Sequence, residues 1–156
     1  MGMDIREGGW QALKGERVDL LVLSHVVEHM PDPVGEVARA VAELGPRHVY
    51  IEVPDIRSFC LGALQNAHLY YFSDATLSHY FAAIGLEPVA RHDGGVHLGI
   101  LFSRRDQPVP PAPLDDEFAR VVALVRRYEW RETIKDRLDR LGVLGAARRL
   151  AALLRH

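Results

Sequence analysis

The stretch DLLVLSHVVEHMPDP, residues 19–33, decides the fold of this chain. It opens with an aliphatic run that extends from Val18 to Leu23 and ends in the polar residues Ser24 and His25. A short, continuous apolar run predicts a strand that is buried on both faces. Polar side chains directly after such a strand lie at the carboxyl end of an open α/β sheet, where these folds bind ligands. We therefore expect a ligand crevice beside Ser24 and His25.

A helix and a second strand follow this stretch. Asp32 is a favourable N-cap residue, and Pro33 suits the first helical position because its missing N–H group would be unpaired there. Apolar residues then recur at helical spacing, at Val34, Val37, Ala38, Val41 and Leu44. Gly45-Pro46 ends the helix, and residues 48–53 are rich in strand-forming side chains. The order strand, helix, strand predicts a βαβ unit with parallel strands.

The next elements are a second helix and a hairpin. Ser73 is the expected N-cap of a helix that ends at Gly85 and has its apolar positions at Leu77, Tyr80, Phe81 and Ile84. Residues 86–91 and 97–102 are apolar runs that flank Asp93-Gly94-Gly95. An Asp-Gly pair between two such runs indicates a β-hairpin.

The sequence divides into three parts. Residues 1–105 form the α/β domain, residues 106–114 are a proline-rich linker, and residues 115–156 are a helical tail. One face of the tail is expected to carry the apolar residues Phe118, Val121, Val125 and Tyr128.

Bulk composition excludes several classes of protein. The net charge of −2 gives no general attraction for nucleic acid, so we expect no nucleic-acid partner. No apolar run is long enough to span a bilayer, so no membrane partner is expected either. Cys60 is the single cysteine, which excludes an internal disulfide and fits a reducing, cytoplasmic location.

Three segments resemble class I S-adenosylmethionine-dependent methyltransferases. Residues 28–33, EHMPDP, resemble the segment after the fourth strand of that fold, and residues 50–55, YIEVPD, resemble its fifth strand and exit. Residues 68–73, HLYYFS, are similar to the segment before the next helix in small-molecule and sugar methyltransferases. The resemblance covers about residues 16–103. It implies a partial Rossmann-like sheet made of strands four to seven, with an antiparallel last hairpin and a C-terminal helical extension.

The same resemblance implies methyl transfer from S-adenosylmethionine to an oxygen, nitrogen or carbon nucleophile on a small-molecule substrate. Ser24 and His25 would line the cofactor. His29 and His68 are candidate catalytic bases, because an imidazole can take the proton that the acceptor loses. Tyr71 would orient the substrate.

Glu28 and Tyr70 are candidate substrate-binding residues. Glu28 and His29 together could also contact a divalent cation. One carboxylate and one imidazole do not complete a metal site, so the sequence predicts no bound metal.

One departure from the family leaves the function open. A Gly-rich cofactor loop of the form G-x-G-x-G is absent from the sequence, and we expect S-adenosylmethionine to bind weakly or not at all to this chain alone. The chain resembles a methyltransferase without the N-terminal, cofactor-binding half of its domain. The alternative is a non-catalytic interaction module with a methyltransferase-like fold. In either case, residues 18–23 would form an exposed sheet edge, so self-association or a protein partner is expected there or at the C-terminal helices.

Overall fold

The computed structural model describes residues 4–58, 67–93, 95–111 and 114–143, with the backbone alone for Asp93. The regular elements are, in chain order, β1 (Leu20–Ser24), α1 (Pro33–Leu44), β2 (His48–Pro54), α2 (Asp74–Ala82), β3 (Leu86–Asp93), β4 (His97–Arg104) and α3 (Glu117–Arg140). Short 3-10 turns lie at Trp10–Leu13, Val27–His29 and Ile56–Ser58.

The strands form one mixed sheet in the order β1-β2-β4-β3. β1 and β2 are parallel, as a βαβ unit requires, whereas β4 is antiparallel to both β2 and β3. The expected α/β class, the parallel pair and the C-terminal hairpin are therefore confirmed. The arrangement is compatible with a partial methyltransferase-like fold that carries a C-terminal helix.

Local sequence signals set the ends of the helices. The carboxylate of Asp32 accepts a hydrogen bond from the backbone N–H of Gly35 at 2.9 Å, which caps α1. Gly45 ends this helix in the left-handed conformation, with φ at 63°. Ser73 and Thr76 form a reciprocal capping box at the start of α2. These contacts confirm both predicted helix starts.

The core is formed by β2, β4 and the apolar faces of the two helices beside them. Its fully buried aromatic residues are Phe81 of α2 and Phe102 of β4, whose ring centroids lie 6.0 Å apart. The remaining core residues include Val27, Val37, Val41, Val49, Ile51, Val53, Phe72, Leu77, Leu86, Leu98 and Ile100. This core fixes the loops at the carboxyl ends of β1 and β2.

β1 differs from its prediction in length and in burial. It begins at Leu20 rather than Val18, because the carbonyl of Asp19 turns to accept hydrogen bonds from the backbone N–H groups of Arg47 and His48. It is not buried on both faces, since Leu20 is 49% exposed and Val22 is 53% exposed. The reason is that β1 lies at the end of the sheet, where no described helix covers the face that carries Leu20 and Val22.

One predicted position of the apolar face of α2 is also wrong. Tyr80 is 40% exposed, and α2 buries Ala82 in its place. Phe118, on the predicted apolar face of the tail helix, is 80% exposed. Cys60, Gly94 of the hairpin turn and the tail beyond residue 143 lie outside the described residues. Among the helices that the structure describes, none combines the length and apolar composition that a membrane span requires.

Candidate functional site

Polar side chains gather at the carboxyl ends of β1 and β2. Ser24 ends β1 and pairs in register with Glu52 of β2. The backbone N–H of His25 donates to the carbonyl of Glu52 at 2.9 Å, and His25 has a left-handed backbone with φ at 53°. The chain then turns at once into the 3-10 segment that carries Glu28 and His29. Five polar residues thus lie together at the carboxyl ends of the two parallel strands, where the strand-tip argument predicts a ligand crevice.

The segment before α2 closes onto this crevice. The carbonyl of Glu28 accepts hydrogen bonds from the N–H groups of Leu69, at 2.8 Å, and Tyr70, at 3.3 Å. A bridge between Asp55 and Phe72 joins the same segment to the exit of β2. The three segments that resemble methyltransferases are therefore neighbours in space, although they are far apart in sequence.

Glu28 has an unusual environment for a carboxylate. Its side chain is completely buried, and neither carboxylate oxygen has a hydrogen-bond partner among the described residues. Two imidazole nitrogens lie close to Oε1 of Glu28, namely Nδ1 of His25, at 3.3 Å, and Nε2 of His29, at 3.8 Å. A buried carboxylate without hydrogen-bond donors is destabilising, and proteins usually compensate it with a cationic group or a metal ion.

Two imidazoles complete a group around Glu28. Nδ1 of His29 lies 2.8 Å from the carbonyl oxygen of Ala67 and donates this hydrogen bond, and Nε2 lies on the side of the Glu28 carboxylate. The ring of His68 meets that of His29 edge-on, with centroids 4.7 Å apart, and its buried Nδ1 has no hydrogen-bond partner in the described structure. One potential ligand atom from each of Glu28, His29 and His68 lies within 4.8 Å of the others.

This group, which we call the inner cluster, has the chemistry of a divalent cation site. Metal–ligand bonds to imidazole and carboxylate are about 2.0–2.2 Å long, so ligand atoms around one ion lie up to about 4.4 Å apart. A small closure of the inner cluster would reach that spacing. The bond from Ala67 to His29 is the kind of outer contact that orients a metal-binding imidazole.

Glu52 is held more firmly than Glu28. Its carboxylate accepts hydrogen bonds from the Tyr50 hydroxyl, at 2.9 Å, and from the Ser24 hydroxyl, at 3.1 Å. The Tyr50 bond above all lowers the pKa of Glu52, with a further contribution from Ser24, although partial burial opposes the shift. Burial and the bond to Glu52 raise the pKa of Tyr50. Glu52 is therefore ionised at neutral pH and fixed in orientation.

The structure brings most of the predicted site residues together. Ser24, His25, Glu28, His29 and His68 all lie at the crevice, and the ring of Tyr71 is 5.7 Å from that of His68. Their cofactor, substrate and catalytic roles stay predictions.

Tyr70 is placed differently from the other predicted site residues. Its hydroxyl donates to the carbonyl of Pro31 at 3.0 Å, and its ring stacks on Phe72. These contacts brace the loop.

Sequence reasoning missed two residues at the crevice. Glu52 lies inside a predicted strand, and His97 is the first residue of β4. Each of them shares a close group with His25. The alternation of strand side chains was a usable signal for Glu52, because it places Glu52 near the carboxyl end of β2 on the face opposite the buried Val49, Ile51 and Val53.

Similarity of this chain to known proteins is found among solved structures. No family model matches this chain, and no curated protein matches it. Among solved structures, one that matches is the small RNA methyltransferase HEN1, with 15% sequence identity and a TM-score of 0.44. The match covers 65% of this chain and 16% of the HEN1 chain, so this chain spans a small part of that protein's length.

Proposed function

We propose that this chain forms the acceptor side of an S-adenosylmethionine-dependent methyltransferase site that holds a divalent cation on Glu28, His29 and His68. One observation carries the proposal. The three segments that resemble methyltransferases meet in one crevice at the carboxyl ends of two parallel strands, and they supply the buried carboxylate and both imidazoles.

The inner cluster supports a role for the cation in activating the acceptor. When bound, a divalent cation acts as a Lewis acid that lowers the pKa of a coordinated hydroxyl group. Glu28 would compensate the charge of the ion, and His29 and His68 would fix its position from two sides. Under this proposal the two histidines act as ligands, which replaces their expected role as free general bases. The substrate would be a small molecule with a hydroxyl acceptor, oriented by Tyr71.

The cofactor would lie beside the inner cluster. The backbone turns sharply at His25, directly after the end of β1, and the methionine part of S-adenosylmethionine would lie against this turn. Catalysis would then depend mainly on aligning the methyl carbon with the acceptor oxygen.

Amide chemical shifts of the nitrogen-15-labelled chain test the cofactor part of the proposal. Titration with S-adenosylmethionine to millimolar concentration should shift the amides of Ser24, His25 and Val26. The amides of His48 and Val49, at the opposite end of the sheet, are internal controls and should not move. Shifts at the control amides instead, or shifts scattered over the surface, would overturn the assignment of the crevice to the cofactor.

Calorimetric titration with Mn²⁺ tests the cation part. The wild-type chain should bind the ion, and Glu28→Gln should lose that binding because an amide is a poor, uncharged ligand. Glu129→Gln removes an exposed carboxylate from α3 and is the matched control. Equal Mn²⁺ binding by all three proteins would refute the inner cluster as a cation site.

A further inference from the structure

A second group of possible ligands lies next to the inner cluster. It consists of His25, Glu52 and His97, and one potential ligand atom from each lies within 4.8 Å of the others. We propose that this outer cluster binds a second divalent cation, of the class that prefers imidazole ligands, such as Zn²⁺ or Co²⁺. The proposal does not depend on methyl transfer.

Glu52 is already oriented as a ligand. The hydroxyl groups of Tyr50 and Ser24 donate to its two carboxylate oxygens and so limit the rotation of the group. Hydrogen bonds of this kind, from residues that do not touch the metal, are typical of ligating carboxylates. Its side chain is 24% exposed, so an ion could reach it from solvent.

His25 lies between the carboxylates of the two clusters. Its Nδ1 atom lies 3.3 Å from Oε1 of Glu28, and its Nε2 atom lies 3.7 Å from Oε1 of Glu52. The ring therefore lies between two carboxylates, with Nε2 on the side of Glu52. A carboxylate near the second ring nitrogen is a common feature of imidazoles that bind metals.

His97 approaches the same point from β4. The ring of His97 meets that of His25 edge-on, with centroids 4.6 Å apart. Glu52 pairs in register with Gly99, two residues from His97, so His97 and the glycine lie on the same face of the strand. A Cβ atom at Gly99 would collide with the Tyr50 hydroxyl, so the glycine preserves the bond that orients Glu52.

Two imidazoles and one carboxylate make a partial coordination sphere. Three protein ligands with open positions are typical of ions that exchange water or bind a substrate atom. The partial exposure of His25, at 39% of its side chain, is consistent with such an open site. If the outer cluster has no affinity for cations, the same residues form only a solvent-exposed contact between histidine and glutamate side chains.

Titration of the full chain with Co²⁺ distinguishes these two cases. Calorimetry and the visible absorption of bound cobalt both measure the binding. His97→Gln should remove one bound equivalent of Co²⁺, because His97 belongs to the outer cluster alone. His48→Gln, which changes an exposed histidine at the opposite end of β2, is the matched control and should bind as much Co²⁺ as the wild type. Circular dichroism of each variant establishes that it is folded.

His68→Gln separates this proposal from the proposed function, because it disrupts the inner cluster alone. Loss of an equivalent in His97→Gln supports the outer site, whether or not His68→Gln loses one. If His68→Gln loses one bound equivalent of Co²⁺ and His97→Gln does not, the outer site is wrong and the inner site stands. Cobalt binding that is unchanged in folded His97→Gln overturns the outer site in every case.

Discussion

Nδ1 of His25 lies 3.3 Å from Oε1 of Glu28, so a partly exposed imidazole contacts a carboxylate that is completely buried. This contact joins the two clusters at the carboxyl ends of β1 and β2. Nε2 of the same ring faces Glu52, and His25 therefore lies between two carboxylates. A change at Glu28 should consequently affect both clusters, whereas changes at His68 or His97 should each affect one.

Glu28→Gln should stabilise the metal-free protein. The wild-type carboxylate is buried without hydrogen-bond donors, and the neutral amide removes the cost of that charge. We expect a gain of about 1 kcal/mol in the free energy of unfolding. Urea denaturation in the presence of a chelator measures it. If Glu28→Gln is less stable than the wild type while Glu129→Gln is equally stable, groups within the protein must already compensate the charge of Glu28.

Tyr50→Phe should raise the pKa of Glu52 toward its ordinary value, because the Tyr50 hydrogen bond is the main cause of the low value. A lowered carboxyl pKa stabilises the fold above the pKa of the unfolded chain, and this stabilisation disappears as the pH falls through the folded pKa. The variant should therefore lose about 1 kcal/mol at neutral pH and little in acid. Carbon-13 titration of the carboxyl group and denaturation at both pH values measure the two effects. An unchanged Glu52 pKa would contradict this account.

The same variant bears on the outer cluster. Removing a hydrogen bond that orients a ligand typically lowers metal affinity by about 10–100-fold. Tyr50→Phe should weaken Co²⁺ binding at the outer cluster by about tenfold, at the low end of that range, and leave Mn²⁺ binding at the inner cluster unchanged. If Tyr50→Phe weakens Co²⁺ and Mn²⁺ binding equally, the variant has lost structure throughout the crevice and the specific role of Tyr50 is wrong.

The edge strand β1 should mediate self-association, as the sequence led us to expect. Leu20 and Val22 expose apolar side chains there, and among the described residues β1 pairs with β2 alone. Val22→Lys should shift the chain toward the monomer, because a charged side chain on an edge strand opposes pairing. Light scattering over a range of concentrations measures this.

Val89→Lys is the matched control for the edge strand. Val89 is similarly exposed on β3 at the other edge of the sheet, where a register shift beside it interrupts pairing. A wild-type chain that remains monomeric, or equal effects of the two lysines, would exclude β1 as the contact. Association through β1 would also favour the alternative of an interaction module, which the sequence leaves open.

Sequence reasoning located the elements well because their ends depend on local chemistry. Asp32, Gly45 and Ser73 act through hydrogen bonds and backbone conformations within a few residues of themselves, so their roles can be predicted without the fold. The polar tip of β1 was predictable for a similar reason, since strand order alone places Ser24 and His25 at a crevice.

The composition of the two clusters was not predictable in the same way. The inner cluster needs a loop that closes onto Glu28, and the outer cluster needs the register of β2 against β4, which sets His97 near Glu52. Both depend on contacts between segments distant in sequence. The burial of β1 was overestimated because a continuous apolar run does not reveal which strand lies at the end of a sheet.

Anomalous X-ray diffraction from crystals grown with Mn²⁺ tests the central claim most directly, because it locates the ion without reference to activity. The account predicts a difference peak within bonding distance of the Glu28 carboxylate, Nε2 of His29 and the His68 ring. A well-ordered crevice with no peak at that position, or peaks confined to surface carboxylates elsewhere, would contradict it.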